Sequence, residues 1–169
     1  MMLDATAGNR AMWNNKNPPN VVFIDKRLED LMFSPHIQAV WKNLPFRSDV
    51  FDCVIFDPPH FIYKTHWKRS KDRQTYINYY GCWKNKREII PTIFKALKEF
   101  HRVSKRLCFK WCDTRDGSTL YKLLPLFKGY WKEINRQNIP IKGRFGKRAS
   151  YWVTFIRDSL LNAEDEKNV

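Results

Sequence analysis

The chain has 169 residues, 43% of them hydrophobic, which supplies one compact core and would leave a second one cramped. Its 31 Lys and Arg against 17 Asp and Glu give a formal net charge of +14, a field that gathers polyanions and makes nucleic acid the first partner to consider. No apolar run approaches the ~18 residues of a membrane helix, and the N-terminus lacks the basic-then-apolar order of a signal peptide, so a soluble, cytoplasmic chain with no membrane partner is expected.

In chain order, the first element is a very short strand ending at Asp4. The stretch "LDATAGNRAMW" (3–13) continues with Ala5, Thr6, Ala7 and Gly8, whose small size lets backbone approach a ligand closely. "NVVFID" (20–25) is a β-branched run closed by Asp25, about one βα unit after Asp4, where an acid can hold a ribose hydroxyl pair. "VFDCVIFD" (50–57) is a third strand, and Asp57, Pro58, Pro59 and His60 follow at its end.

A basic stretch comes next. "KTHWKRSKDR" (64–73) carries Lys64, Lys68, Arg69, Lys71 and Arg73, and aromatics including Tyr80 and Trp83 follow. Cations interleaved with aromatics suit phosphate contact and base stacking, with Tyr80, Gly81 and Trp83 as part of a lid. "KREIIPTIFKALKEFHRVSK" (86–105) repeats apolar residues at helical spacing, with Pro91 in the first turn where its missing N–H costs little.

"RLCFKWC" (106–112) predicts another strand. Lys110 near its end requires an acidic or substrate partner, because an unpaired buried ammonium is costly. "STLYKLLPLF" (118–127) predicts a short helix cut by Pro125. "YWKEINRQNI" and "RASYWVTFIRD" predict an antiparallel hairpin whose loop, "KGRFGKR" (142–148), brings Arg144, Lys147 and Arg148 as a second basic cluster. Residues 1–158 then form a single domain, and 159–169 a polar, frayed tail.

Strands alternating with helices predict an α/β fold, a mostly parallel sheet with helices on both faces and a C-terminal antiparallel hairpin. Ligands gather at the carboxyl ends of such strands, where Asp4, Asp25 and Asp57 stand. Cys53, Cys82, Cys108 and Cys112 lack metal-finger spacing, so neither a metal site nor structural disulfides are expected.

"LDATAG", the acid ending "VVFID", and "DPPH" after "FDCVIF" resemble the cofactor loop, ribose acid and catalytic tetrapeptide of Rossmann-like S-adenosylmethionine-dependent amino-methyltransferases of nucleic acids. Arg10, Met12 and Trp13, "LPF" (44–46), "FKW" (109–111) and "GKR…W" (146–152) are similar to a small phage- or prophage-type branch of that family. The resemblance implies S-adenosylmethionine as cofactor, held by Asp4, Ala5, Thr6, Ala7, Gly8 and Asp25. Asn43 and Leu44 stand in for the acid that relatives carry before "LPF".

The resemblance further implies that the Asp57 carboxylate and the Pro58 carbonyl accept the two N–H donors of an exocyclic amine, turning its lone pair toward the methyl sulfonium. Two prolines with fixed φ keep that turn rigid, and His60 occupies the place of an aromatic that stacks on an extruded base. The implied activity is adenine-N6 methylation, with DNA favoured over RNA. RNA adenine or cytosine-N4 methylation, and a catalytically silent nucleic-acid-binding subunit, stay open. The length leaves no room for a separate recognition domain, so the expected species is a monomer or homodimer with scope for a helper subunit.

Overall fold

The computed structural model describes residues 1–29, 31–63, 77, 81–113, 118–143 and 146–158, with backbone alone over 140–143 and 146–148. Lys64, Lys68, Arg69, Lys71, Arg73, Tyr80 and Arg144, and the 159–169 tail, lie outside the described residues.

Seven strands form one sheet: β1 (Met2–Asp4), β2 (Val21–Asp25), β3 (Ile37–Gln38), β4 (Phe51–Phe56), β5 (Ser104–Cys112), β6 (Trp131–Gly143) and β7 (Gly146–Arg157), in the order β3-β2-β1-β4-β5-β7-β6. The first five pair in parallel, and β7 lies antiparallel between β5 and β6. β1 needs only three residues because both its edges are paired, with Leu3 opposite Val22 on one side and Val54 on the other. The chain reverses its direction of winding between β1 and β4, so the carboxyl ends of β1, β2, β4 and β5 share one rim at the switch point.

α1 (Ile89–Val103) follows a single 3₁₀ turn at Lys86–Glu88, where the Asn85 side chain accepts the Arg87 N–H. Its Ile89, Ile93, Ala96, Leu97, Phe100 and Val103 are buried along one stripe, each large side chain contributing about 1.5–3 kcal/mol by leaving water. Pro91 falls in the first turn, as expected. α2 (Leu120–Leu123) runs into a 3₁₀ turn at Leu124–Phe127 that contains Pro125.

Both described helices pack on the sheet face that carries Leu3, Ile24, Val54, Phe56, Leu107 and Phe109. On the opposite face the cover over β1 and β2 is made by turns in place of a helix. Ala7 and Trp13 close on Val21 and Phe23 there. Farther along that face, Cys53, Ile55, Cys108, Lys110, Trp152 and Thr154 are only half-buried.

Arg10 holds the turns in place. It is 4% exposed and adopts φ 53°, and its guanidinium lies 4.1 Å from the Phe23 ring centroid. It donates to the carbonyls of Lys16 (2.6 Å) and Ser34 (2.7 Å) and to Asn17 Oδ1. One planar fork thus gathers two loops that have no regular backbone ladder.

The hairpin is longer than its sequence suggests. β6 and β7 run to Gly143 and from Gly146, with Lys142 opposite Lys147, so the backbone of Lys147 and Arg148 belongs to a ladder instead of a loop. Pro140 is tolerated because β6 is the edge strand. Among the described residues no helix is long and apolar enough to cross a membrane.

Candidate active site

Asp4, Asp25 and Asp57 converge on the shared rim. The first loop is tied directly to the tetrapeptide: the Ala5 N–H donates to the Ile55 carbonyl (2.9 Å), and the Asp57 N–H donates to Thr6 Oγ1 (2.9 Å). Asp4 is fully buried and accepts the Thr6 N–H (3.0 Å) and Trp13 Nε1 (2.8 Å). Burial outweighs those two donors and pushes its carboxyl up to about 6. Asp4 therefore organises the loop from beneath.

Gly8 adopts φ 46°, and its N–H reaches Asp25 Oδ2 at 3.1 Å. Asp25, 7% exposed, also receives the Arg27 N–H and Nε on Oδ1 and Arg27 Nη2 on Oδ2 (2.9 Å). Burial pushes this carboxyl up, but the Arg27 donors more than offset it and hold it below the usual carboxylate range. An open cleft of about 320 Å³, lined by Lys26, Arg27, Leu28, Glu29 and Gln38, lies beside it.

Asp57 stands just past β4 with its side chain 17% exposed. Lys110 Nζ donates to Oδ2 at 2.7 Å, so the lysine has the acidic partner its sequence position required. His60 Nε2 lies 3.0 Å from Oδ1, near enough to attract it electrostatically. The two groups are not aligned as a hydrogen bond: Oδ1 and His60 Nδ1 are both buried without a hydrogen-bond partner. Burial pushes the Asp57 carboxyl up, and His60 and Lys110 together outweigh it and keep it low. The His60 ring rests edge-on to Trp111, centroids 5.4 Å apart, folded back over the acid.

The turn is braced from below. Pro58 is buried, and the Pro59 carbonyl accepts Trp83 Nε1 at 2.5 Å. Residues 61–63 and 81–83 bond to each other, the Trp83 N–H to the Phe61 carbonyl (2.8 Å) and the Tyr63 N–H to the Trp83 carbonyl (2.7 Å). Gly81 at φ 74° comes so close that a Cβ there would sit 3.2 Å from Pro59 Cγ.

Two expected site residues occupy other roles. Trp83 is 6% exposed and edge-on to Trp41, so it is a core residue pinning Pro59 and has no open face for a base. Leu44 is 5% exposed in the core. Its N–H donates to Glu99 Oε2 (2.9 Å) and its carbonyl accepts Arg102 Nη2 (3.1 Å), so helix α1 already holds both polar groups. Asn43 is exposed, with its N–H on the Val40 carbonyl. Glu99 and Arg102 had no sequence signal, since each acts on backbone carbonyls or N–H groups brought near only by folding, and Arg10 was marked by the resemblance without a role.

The strand order and central switch point define a Rossmann-like class I methyltransferase fold. No family model and no curated protein sequence matches the chain. Solved structures share the fold. The PH0226 protein from Pyrococcus horikoshii OT3 superposes with TM-score 0.62 at 14% identity, over 93% of this chain and 81% of that one. The hMettl16 catalytic domain in complex with MAT2A 3'UTR hairpin 1 gives 0.51 at 13%, over 89% and 62%. The N-methyltransferase NodS from Bradyrhizobium japonicum WM9, in complex with S-adenosyl-l-homocysteine, gives 0.50 at 8%, over 93% and 76%.

Proposed function

We propose that the chain is an S-adenosylmethionine-dependent methyltransferase acting on the exocyclic amino group of a nucleic-acid base, with adenine-N6 in DNA as the first substrate. The observation that carries this reading is Asp57 Oδ1, a buried carboxylate oxygen that no donor meets in hydrogen-bond geometry, with the His60 ring as its 3.0 Å neighbour. Buried acceptors are almost always satisfied, and an orphan of this kind at a strand end suits a substrate donor.

The loop residues fit the cofactor. Gly8 has a left-handed backbone, Ala5 and Ala7 are small, and the residues that follow Asp25, Lys26 to Glu29, line a cleft. A ribose hydroxyl pair at Asp25 would share a carboxylate that Arg27 now holds in a fork, so Arg27 must give way or contribute a donor of its own. When bound, the cofactor supplies an electrophilic methyl group on a sulfonium. Asp57 accepts one amine N–H and Pro58 the other, which rehybridises the nitrogen and aims its lone pair. Lys110 keeps Asp57 ionised, and Asp57 stabilises the positive charge that grows on the nitrogen. For His60 to stack on a base, its ring must leave the carboxylate, which frees Oδ1 further.

The net charge of +14 supports a polyanionic substrate. An RNA amine is the second reading, favoured by the likeness to a domain solved with an RNA hairpin. Incubation with tritiated cofactor and a panel of duplex DNA, single-stranded DNA and RNA, followed by nucleoside analysis, decides between them. Asp57→Ala should lose more than nine-tenths of turnover, ~1.4 kcal/mol or more of barrier, while still binding cofactor in calorimetry. Retention of turnover, or absence of cofactor binding by the parent protein with and without nucleic acid, would overturn the reading.

A further inference from the structure

Cys53 on β4 and Cys108 on β5 are 55 residues apart in sequence, yet their Sγ atoms lie 3.7 Å apart. All four cysteines are free thiols and half-buried. The pair sits on the sheet face that neither described helix covers, beside Thr154 Oγ1 at 3.9 Å from Cys108 Sγ. Across the ladder Cys53 is opposite Arg106 and Cys108 is opposite Ile55. The thiols therefore meet diagonally, one leaning up its strand and the other down.

We propose that Cys53 and Cys108 are a dithiol modification site, which a small disulfide oxidises to an intrachain bridge that draws β4 and β5 together beneath the Asp57–Lys110 pair. Cys108 is the attacking sulfur. Donation from the Cys53 thiol outweighs burial and holds the Cys108 thiol below its ordinary range, while the same contact and burial push Cys53 up. The Cys108 thiolate attacks one sulfur of the small disulfide, forming a mixed disulfide and releasing one thiolate. Cys53 then gives up its proton to solvent and attacks the Cys108 sulfur, expelling the second thiolate. The protein loses two protons and two electrons, and the small disulfide takes them up to become two thiols.

An S–S bond is about 2.05 Å long, so the sulfurs must approach from 3.7 Å across a diagonal register. Side-chain rotation supplies part of that approach and shear of the two strands the rest. β4 leads directly into Asp57, and Lys110 follows Cys108 on the same face of β5, so the strain is delivered to the ion pair just above.

The folded protein is treated with oxidised glutathione, alkylated and analysed by mass spectrometry without reduction. The expected product has lost two hydrogens, and trypsin releases residues 48–64 linked to 107–110. Cys53→Ser should instead retain one glutathione on Cys108. Amide hydrogen exchange over 54–57 and 107–111 should change on oxidation of the parent and stay unchanged in Cys108→Ser. A linkage through Cys82 or Cys112, full alkylation of Cys53 and Cys108 after oxidant, or a bridge that forms only in denaturant overturns the proposal. Neither readout uses methyl transfer, so the result stands apart from the proposed activity.

Discussion

Replacing Lys110 with Met keeps an apolar stem of similar length but removes the cation from Asp57 Oδ2. At 2.7 Å and an effective dielectric constant near 20, the gross attraction is about 6 kcal/mol. Dehydration offsets most of it, because the two side chains keep only 27% and 17% of their exposure, at a cost of several kcal/mol per ion. The truncation leaves a largely buried carboxylate whose remaining partner is His60 at 3.0 Å, and the expected loss is about 2 kcal/mol at pH 7. The folded-state pKa of Asp57 is depressed, so its stabilisation is complete above the unfolded value of about 4 and disappears as pH falls through the lower folded value. Urea unfolding of both proteins from pH 7 down to 3, followed by tryptophan fluorescence, should show the difference narrowing as Asp57 protonates. A difference constant with pH, or equal stability at pH 7, would refute the ion-pair argument and reduce Lys110 to a packing residue.

Arg10→Met should cost about 3 kcal/mol or more in thermal or urea unfolding, because three acceptors in two loops lose the donor that joins them. Asp4→Asn tests the opposite sign of linkage. The Asp4 pKa is raised to about 6, so the parent protein should gain stability relative to this variant as pH falls from 7 to 4, by up to ~3 kcal/mol. Trp83→Phe keeps the ring in the core but loses the hydrogen bond to the Pro59 carbonyl. It should cost about 1 kcal/mol in unfolding, and turnover should fall more than cofactor affinity as the turn loosens.

The rim was legible because local chemistry announces it. Each of Asp4, Asp25 and Asp57 ends an apolar run, and strands β2, β4 and β5 and helix α1 carry their own periodicity. Other parts depend on partners distant in sequence. Trp83 follows a stretch of cations and reads as a stacking residue, but Trp41 and Pro59 enclose it. Leu44 stands where a cofactor contact was expected, but Glu99 and Arg102 on α1 take its backbone. The turns over β1 and β2 hold through Arg10, a charged residue that composition rules place on the surface. Cys53 and Cys108 behave separately as small apolar strand residues, and only the β4–β5 pairing makes them neighbours.

The placement of β7 between β5 and β6 has a consequence for how the sheet is assembled during synthesis. β5 and β6 are complete before residue 146 is made, yet each finds its described neighbour on that side only in β7. Until residues 146–157 leave the ribosome, β5 presents an unpaired edge beside a hydrophobic layer, and β6 has nothing to pair with. A chain stopped before β7 would lose two strands, and its open β5 edge would be a template for pairing with other copies. The stretch from Gly146 to Arg157 thus acts as the clasp that makes the nascent sheet safe in a crowded cell.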